Sequence, residues 1–382
     1  MTSVSVVIPC YNYGHFLDDA IASVLDDQEG VDVRVLIIDD ASPDGSAEVA
    51  RKIAACDSRV EVAVHATNRG HIATYNEGLL DWADGDYSVL MSADDRLTPG
   101  ALRRATDFLD AHSGVGFVYG NPLWFRDDAP LPTARTRVRG CSVWSGQLWL
   151  ERRFRQLQSG ISSPEVVVRT SLQKRVGGYD ARLPHLGDTE MWIRLAANAD
   201  VGYLRGVDQA YYRRHEQNMS TAYGPLMTLR QYRLAFEAVL DRCSERLSDA
   251  ARLSDLVHRK LAREALVAAA RAYDQGRTQQ TPVNELVTFA FDCWPEANGL
   301  PIYRTLQLRE SIGPRVMPYL QPFVLPAAAC RKAQTWSQRL AEVGALSAYR
   351  GWRHRHRTQR SLRISGHDGR KASGHRLDVD SG

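Results

Sequence analysis

Short β-branched runs alternate with stretches whose apolar residues fall at helical spacing along the N-terminal part of the chain. Val4-Ser5-Val6-Val7-Ile8-Pro9 is a strand stopped by proline, of the kind found inside parallel sheets. Cys10 to Gly14 turns, and Leu17, Ile21, Val24 and Leu25 give one face to a helix predicted from about Phe16 to Leu25. The second strand, Val33 to Ile38, runs into Asp39-Asp40, and the turn after it opens a helix that Ser42 or Asp44 can cap. Val60 to Val64 is a third strand, and Asn68-Arg69-Gly70 turns into a helix over about 72–82. Ser88-Val89-Leu90-Met91 then leads through Ser92-Ala93 to Asp94-Asp95, and Arg96 to Gly100 turns the chain. This alternation predicts right-handed βαβ units and a doubly wound α/β sheet.

Further on, Gly116 to Gly120 reads as a strand and residues 122–139, rich in proline and charge, as a mobile loop. Ile161 to Arg169 is a turn entering a strand, and a helix from about Ser171 ends at Gly177-Gly178, where one glycine suits a left-handed cap. Asp188 stands where an aspartate caps a helix, and Met191, Trp192 and Leu195 form that helix's apolar face. From about Pro225 the strand pattern stops, and helices are predicted over 229–247, 251–272 and 283–293. Trp336, Leu340, Val343 and Leu346 fall on one helical stripe beyond Pro322, followed by a basic run from Arg350 to Arg357 with Arg360 and Arg363. The expected divisions are an α/β domain over 1–224 and a helical domain over 225–325. Residues 326–382 are read as an amphipathic helix and a basic, partly disordered tail.

Composition narrows the classes. A chain of 382 residues exceeds one ordinary domain, and 44% hydrophobic with 24% charged residues is the balance of a soluble globular protein. A formal charge of +3 is too small to imply nucleic-acid binding by the whole molecule. The six cysteines are scattered without a C-x-x-C pair, so neither zinc nor a disulfide framework is signalled, and a reducing cytosolic setting is expected. No signal-peptide pattern opens the chain, and no apolar run approaches the ~18–20 residues that span a bilayer. The basic C-terminal stripe could lie on an anionic membrane as a peripheral contact. A solvated tail is the commoner outcome of such a run. The helical part carries no assignable motif, and its default role is to cover the α/β domain or a partner subunit in a homo-oligomer.

Two strands deliver acidic pairs to what should be one sheet edge, the edge where open α/β sheets bind ligands. A lone pair is most simply a solvated turn with a capping aspartate. Two at corresponding strand ends point to a crevice for a nucleotide and a hard cation. No G-x-G-x-x-G and no G-x-x-x-x-G-K-[ST] is present, which argues against dinucleotide and P-loop folds.

Val6-Val7-Ile8-Pro9-Cys10-Tyr11-Asn12, Ile38-Asp39-Asp40-Ala41-Ser42-Pro43-Asp44, Asn68-Arg69-Gly70 with Asn76, and Ser92-Ala93-Asp94-Asp95 resemble the successive blocks of family 2 glycosyltransferases. The resemblance covers about the first 220 residues and implies the GT-A fold. It implies that Pro9, Tyr11 and Asp39 line the pocket for base and ribose, with Asn12, Asp40, Asn68 and Asn76 in the donor site. Asp94-Asp95 resembles the DxD element that holds the sugar nucleotide and its Mn²⁺ or Mg²⁺, although Ser92 stands where the fuller form has an acid. His185 to Leu195 resembles E-D-x-x-L-W-x-R-L, with Gly187 replacing the glutamate and Asp188 matching the aspartate that acts as general base; Glu190 is the reserve candidate. Tyr211 to Ser220 resembles the closing Y-R-x-H-x-x-x-x-S segment, which implies Arg214 and His215 as phosphate or metal contacts. No Gln-x-x-Arg-Trp element follows, so a single transfer per encounter is expected.

The resemblance thus implies a metal-dependent inverting glycosyltransferase. It would use a nucleoside-diphosphate sugar and a glycan, lipid-linked or small-molecule acceptor. Two rivals stand beside it. One is a nucleotide-sugar-binding module without transfer, to which Ser92 and Gly187 lend support. The other is a nucleotidyltransferase, which needs a basic glycine-rich loop where Cys10 to Leu17 holds neither Lys nor Arg.

Overall fold

Eight consecutive residues of β1 (Ser3–Cys10) pair in parallel with β2 (Asp32–Asp39), from Ser3 opposite Asp32 to Cys10 opposite Asp39. The structure is a computed structural model, and it describes residues 1–157, 160–216, 218 and 223–324. β3 (Val60–Val64) flanks β2 and β4 (Tyr87–Leu90) flanks β1, both parallel, so four strands end on the same edge. The predicted acidic pairs leave that edge from β2 and β4. The sheet then continues through antiparallel β8 (Val166–Arg169) to β6 (Val115–Phe125) and β9 (Asp200–Arg213), with β5 (Arg96–Leu97) and β7 (Gly140–Trp144) both pairing with β9.

Alternation along the central strands sorts side chains to two faces. Val7, Leu36, Ile38 and Leu90 join one core, while Val6, Ile8, Val35, Ile37 and Val89 join the other, with α1 (Gly14–Leu25) and α4 (Ala101–Ala111) over them. Each fully buried aliphatic side chain contributes ~1.5–3 kcal/mol of transfer free energy. α2 (Ser46–Cys56) begins after Gly45 at φ 84 rather than at a Ser42 or Asp44 cap. Asp44 Oδ1 accepts the Ser46 amide at 3.0 Å, and Ser42 Oγ instead accepts the Asn12 amide at 3.0 Å. The helix predicted over 72–82 is two pieces, α3 (His71–Asn76) and a π-helical turn, Glu77–Trp82. The wide turn lays Gly78 on β1, where an added Cβ would sit 2.3 Å from Val7 Cγ1.

The loop predicted from Pro122 begins later than expected. Residues 122–125 complete β6, and register shifts at Asn121 and Pro122 let a proline sit within the strand. α5 (Gly146–Gln156), α6 (Thr170–Val176) and α7 (Gly187–Ala196) follow. Asp188 was expected as the cap of α7; the capping position is Leu186, and Asp188 lies in the first turn.

The helical part comprises α8 (Pro225–Cys243), α9 (Ala250–Asp274), α10 (Val283–Cys293) and α11 (Pro301–Ile312). Phe236, Val257, Leu261 and Phe289 share one core with Trp149, Phe154 and Trp192 of α5 and α7, and the Phe154 and Phe236 rings meet edge-on at 4.8 Å. Residues 1–317 accordingly form one compact unit, and residues 318–382 a second. Of the second, the structure describes only 318–324, within α12 (Met317–Val324). The predicted tryptophan stripe and basic run lie outside the described residues. No described helix is long and apolar enough to cross a membrane.

Candidate active site

The ends of β1 and β2 form the first wall of the site. Asp39 is buried, and its Oδ2 accepts the Ser42 amide at 3.0 Å. Its Oδ1 is buried without a hydrogen-bond partner, and so is Asn12 Oδ1. Asn12 and Ala41 hold left-handed backbone at φ 62 and 59, a strained state for an alanine. Orphan oxygens and strained backbone at adjoining strand ends are what a ligand's donor groups would complete. Tyr11, 45% exposed, stands at this rim, and Pro9 is half-buried opposite Ile38.

Asp40 is turned to a different task. Its Oδ1 accepts the Arg69 amide at 2.7 Å and meets His65 Nδ1 at 2.6 Å, while Oδ2 accepts the Gly70 amide at 2.8 Å. Burial would raise its pKa, yet these hydrogen bonds and the His65 charge outweigh it and hold the carboxyl below the usual range. Asn68 Oδ1 accepts the Gly70 amide at 3.1 Å in the same turn. Asn76 is similarly engaged, donating to Tyr179 O at 3.0 Å and accepting the Tyr179 amide at 2.6 Å. The polar atoms of Asp40 and Asn76, both expected in the donor site, are thus hydrogen-bonded within the protein.

The second wall is the turn after β4. Asp94 and Asp95 are both buried. Asp95 Oδ1 accepts the Arg213 amide at 3.0 Å, and Asp94 Oδ2 meets His215 Nε2 at 3.0 Å and Asn218 Nδ2 at 3.3 Å. Burial and the neighbouring Asp94 charge push the Asp95 carboxyl well above its ordinary value, against the opposing pull of the Arg213 amide and guanidinium. Arg213 is the residue that composition did not single out. Its Nε donates to Asp94 O at 2.8 Å, its Nη1 pairs with Asp127, and its guanidinium lies 4.2 and 4.6 Å from the Phe16 and Phe125 ring centres. The guanidinium of Arg214, the predicted contact, lies over the Trp124 ring at 3.9 Å.

Among the described residues no group of three or more His, Cys, Asp or Glu side chains is gathered as a ready-made metal cage. Asp94, Asp95 and His215 are thus neighbours rather than a preformed three-ligand site. Ions such as Mg²⁺ are commonly held by one or two carboxylates and completed by substrate phosphates, and this donor set fits that pattern.

α7 supplies the third wall. Asp188 is half-buried, with Oδ1 accepting its neighbour Thr189's amide at 2.6 Å. Burial pushes its pKa up to about 6, against the opposing pull of the Thr189 amide and hydroxyl. Glu190, the reserve candidate, is fully buried and ion-paired with Arg194 at 2.8 Å and Arg242 at 3.1 Å, which leaves it unsuited to proton transfer. At Gly187 a Cβ would touch the Tyr179 ring at 3.2 Å, so that ring fills the space beside the expected glutamate position.

One side chain reports that these walls converge. The Tyr75 phenol is raised above its ordinary range first by burial, then by the charges of Asp188, Asp94 and Asp95 together. All three carboxylates therefore lie within Coulombic reach of one phenol, whose ring packs edge-on against Tyr179 at 5.5 Å. Tyr13 is raised to about 12 by burial with Asp94 and Asp95, and its ring packs edge-on against His215 at 5.5 Å. Tyr232, on α8, is likewise raised to about 12 by burial and by Asp188.

Residues 5–171 match the sequence model of the family described as glycosyl transferase family 2. The N-terminal part of the chain belongs to glycosyltransferase family 2. The chain is 30% identical over 128 residues to a Bacillus subtilis protein named for teichuronic acid biosynthesis, glycosyltransferase TuaG, covering 34% of this chain and 50% of that one. It is 31% identical over 124 residues to the Campylobacter jejuni GalNAc(5)-diNAcBac-PP-undecaprenol beta-1,3-glucosyltransferase, covering 32% of this chain and 39% of that protein. The chain thus spans half or less of these curated relatives. In fold it is similar to S. aureus TarS 1-349 solved with UDP, at TM-score 0.58 and 17% identity, over 84% of this chain and 91% of that one. The GT-A expectation holds for this family 2 glycosyltransferase region: a mixed sheet with helices, followed by a helical part.

Proposed function

We propose that the protein is an inverting glycosyltransferase that moves a sugar from a nucleoside diphosphate to an acceptor hydroxyl. The observation that carries this reading is that Asp94, Asp95 and Asp188, far apart in sequence, all act on the one phenol of Tyr75, and that Asp188, half-buried, is raised to about 6. Asp39, Asn12 and Tyr11 take the nucleoside; a hydroxyl or amide donor on it would satisfy the orphan oxygens of Asp39 and Asn12. Asp94 and Asp95, with His215 beside them, would hold Mn²⁺ or Mg²⁺, which would supply Lewis-acid stabilisation of the diphosphate's charge. Asp188 takes the acceptor proton as its oxygen attacks the anomeric carbon from the face opposite the leaving group. The relatives' names favour a UDP-sugar and a membrane-associated glycan as acceptor.

The test is UDP or GDP release from a panel of nucleotide sugars with MnCl₂, repeated with EDTA and with Asp188→Asn. Release that requires metal and collapses in the variant supports transfer. Nucleotide binding without release under any condition would favour the binding module instead.

A further inference from the structure

We propose that Arg242 of α8 is a positioning residue for transfer, clamping the segment that delivers Asp188. This rests on the reading of Asp188 as the base. Between α6 and α7, residues 177–186 have no helix or strand of their own. Ordering such backbone costs conformational entropy, so its conformation must be fixed by its neighbours. Asn76 holds Tyr179 on the sheet side, and Arg194 donates to Val176 O at 2.6 Å and Gly178 O at 2.7 Å. From α8, Gln231 accepts the His185 amide at 3.3 Å and donates to Arg182 O at 3.1 Å.

Arg194 ties the two ends from within α7; Arg242 ties them from α8, outside the segment. Its Nη2 reaches Asp180 Oδ2 at 2.8 Å and its Nη1 reaches Glu190 Oε1 at 3.1 Å, one carboxylate on each side of Asp188 in the chain. Each carboxylate also has a local cation: Arg182 on Asp180 at 2.7 Å and Arg194 on Glu190 at 2.8 Å. Loss of Arg242 therefore leaves neither acid buried without a partner. What disappears is the tie from α8 to both carboxylates. That separates a positioning effect from a folding effect, since removing the last partner of a buried charge is what strongly destabilises.

A displacement of about 1 Å at a reacting group can lower rate by as much as ~10²-fold. Arg242→Gln should lower kcat about tenfold while the KM for the nucleotide sugar stays within about twofold. The assay follows UDP release from UDP-GlcNAc, or from whichever panel nucleotide sugar turns over fastest, with MnCl₂. Arg242→Lys, which can reach one carboxylate at a time, should recover part of the loss. Independently of any substrate, amide hydrogen exchange should quicken in peptides covering 180–190 and stay unchanged in those covering 87–97. Should Arg242→Gln fail to fold, Asp180→Asn removes the other half of the tie and must give the same pattern.

Unchanged kcat with unchanged exchange overturns the clamp, as does a fall in kcat matched by an equal rise in donor KM. A collapsed Asp188→Asn beside an unaffected Arg242→Gln defeats the clamp and spares the base. Undiminished turnover in Asp188→Asn defeats the base reading, and with it this one.

Discussion

At the end of β2, Asp40 gives both oxygens to the 65–70 turn, while its neighbour Asp39 keeps a buried oxygen without a partner. At the start of α7, Glu190 sits between two arginines, while Asp188, two residues away, is half-exposed and held at about pH 6. In both regions one acid is spent on fixing backbone and the other is left poorly compensated. The difference lies in what compensates the second acid. Asp39 takes one backbone amide, from Ser42, and under the proposed function a neutral donor of the nucleoside would take the other oxygen; Asp188 is raised by burial, which suits the proposed exchange of a proton.

Substitution of Asp188 tests the larger half of this contrast. Asp188→Asn keeps the shape and removes proton acceptance, so turnover should drop by ~10²–10⁴-fold with nucleotide binding nearly intact, measured by kcat beside calorimetric UDP titration. Glu190→Gln should act differently, lowering the unfolding temperature because Arg194 and Arg242 lose their shared partner. Equal kinetic losses in both variants would erase the distinction between the two acids.

Next in size is the β4 turn, where neither acid is released from duty. Asp95→Asn or EDTA should lower kcat/KM by on the order of 10²-fold, since Lewis-acid stabilisation is worth several kcal/mol. Asp95→Asn should not itself unfold the protein, because burial and Asp94 already disfavour its charge. Full activity in EDTA would remove the metal from the proposal and leave the Asp188 prediction standing.

The pH profile follows from the value at Asp188. With its carboxyl raised from 3.8 to about 6, the base is protonated below that point, and kcat should fall about tenfold per pH unit on the acid side. The linkage sign is that of a raised acid. Its favourable contribution to stability is complete below pH 3.8, and is lost as pH rises through about 6. Asp188→Asn should therefore melt higher than the unaltered protein at pH 8, with the gain vanishing near pH 4.

These contrasts also mark what the sequence could disclose. The strands were legible because β-branched runs stopped by turn formers leave few alternatives, and Val60–Val64 was read to the residue. Asp39, Asp94, Asp95 and Asp188 were legible as candidates because acids at strand ends and helix starts are unusual in pairs or in family order. Which acid of a pair faces the ligand was not legible, because that depends on distant partners: Asp40 is claimed by residues 65–70, and Glu190 by Arg242 on a helix that carried no motif. Pro122 misled because a register shift lets a strand absorb a proline.

The smallest effects lie at the β2 end, where the two acids can be told apart by stability against binding. Asp40→Asn keeps one acceptor and replaces the other by a donor facing an amide, so about 1–3 kcal/mol of stability should be lost, seen as a lower midpoint in urea. Nucleotide affinity should follow only as far as the 65–70 turn loosens. Tyr11→Ala removes an exposed ring with little else resting on it. Its stability should stay within about 0.5 kcal/mol of the unaltered protein, as for most surface positions. UDP binding should weaken by the worth of one stacked base, roughly 1 kcal/mol or about fivefold in Kd. Unweakened binding in Tyr11→Ala together with weakened binding in Asp40→Asn would move the nucleoside from the β1 rim to the 65–70 turn, and would reverse the division between Asp39 and Asp40.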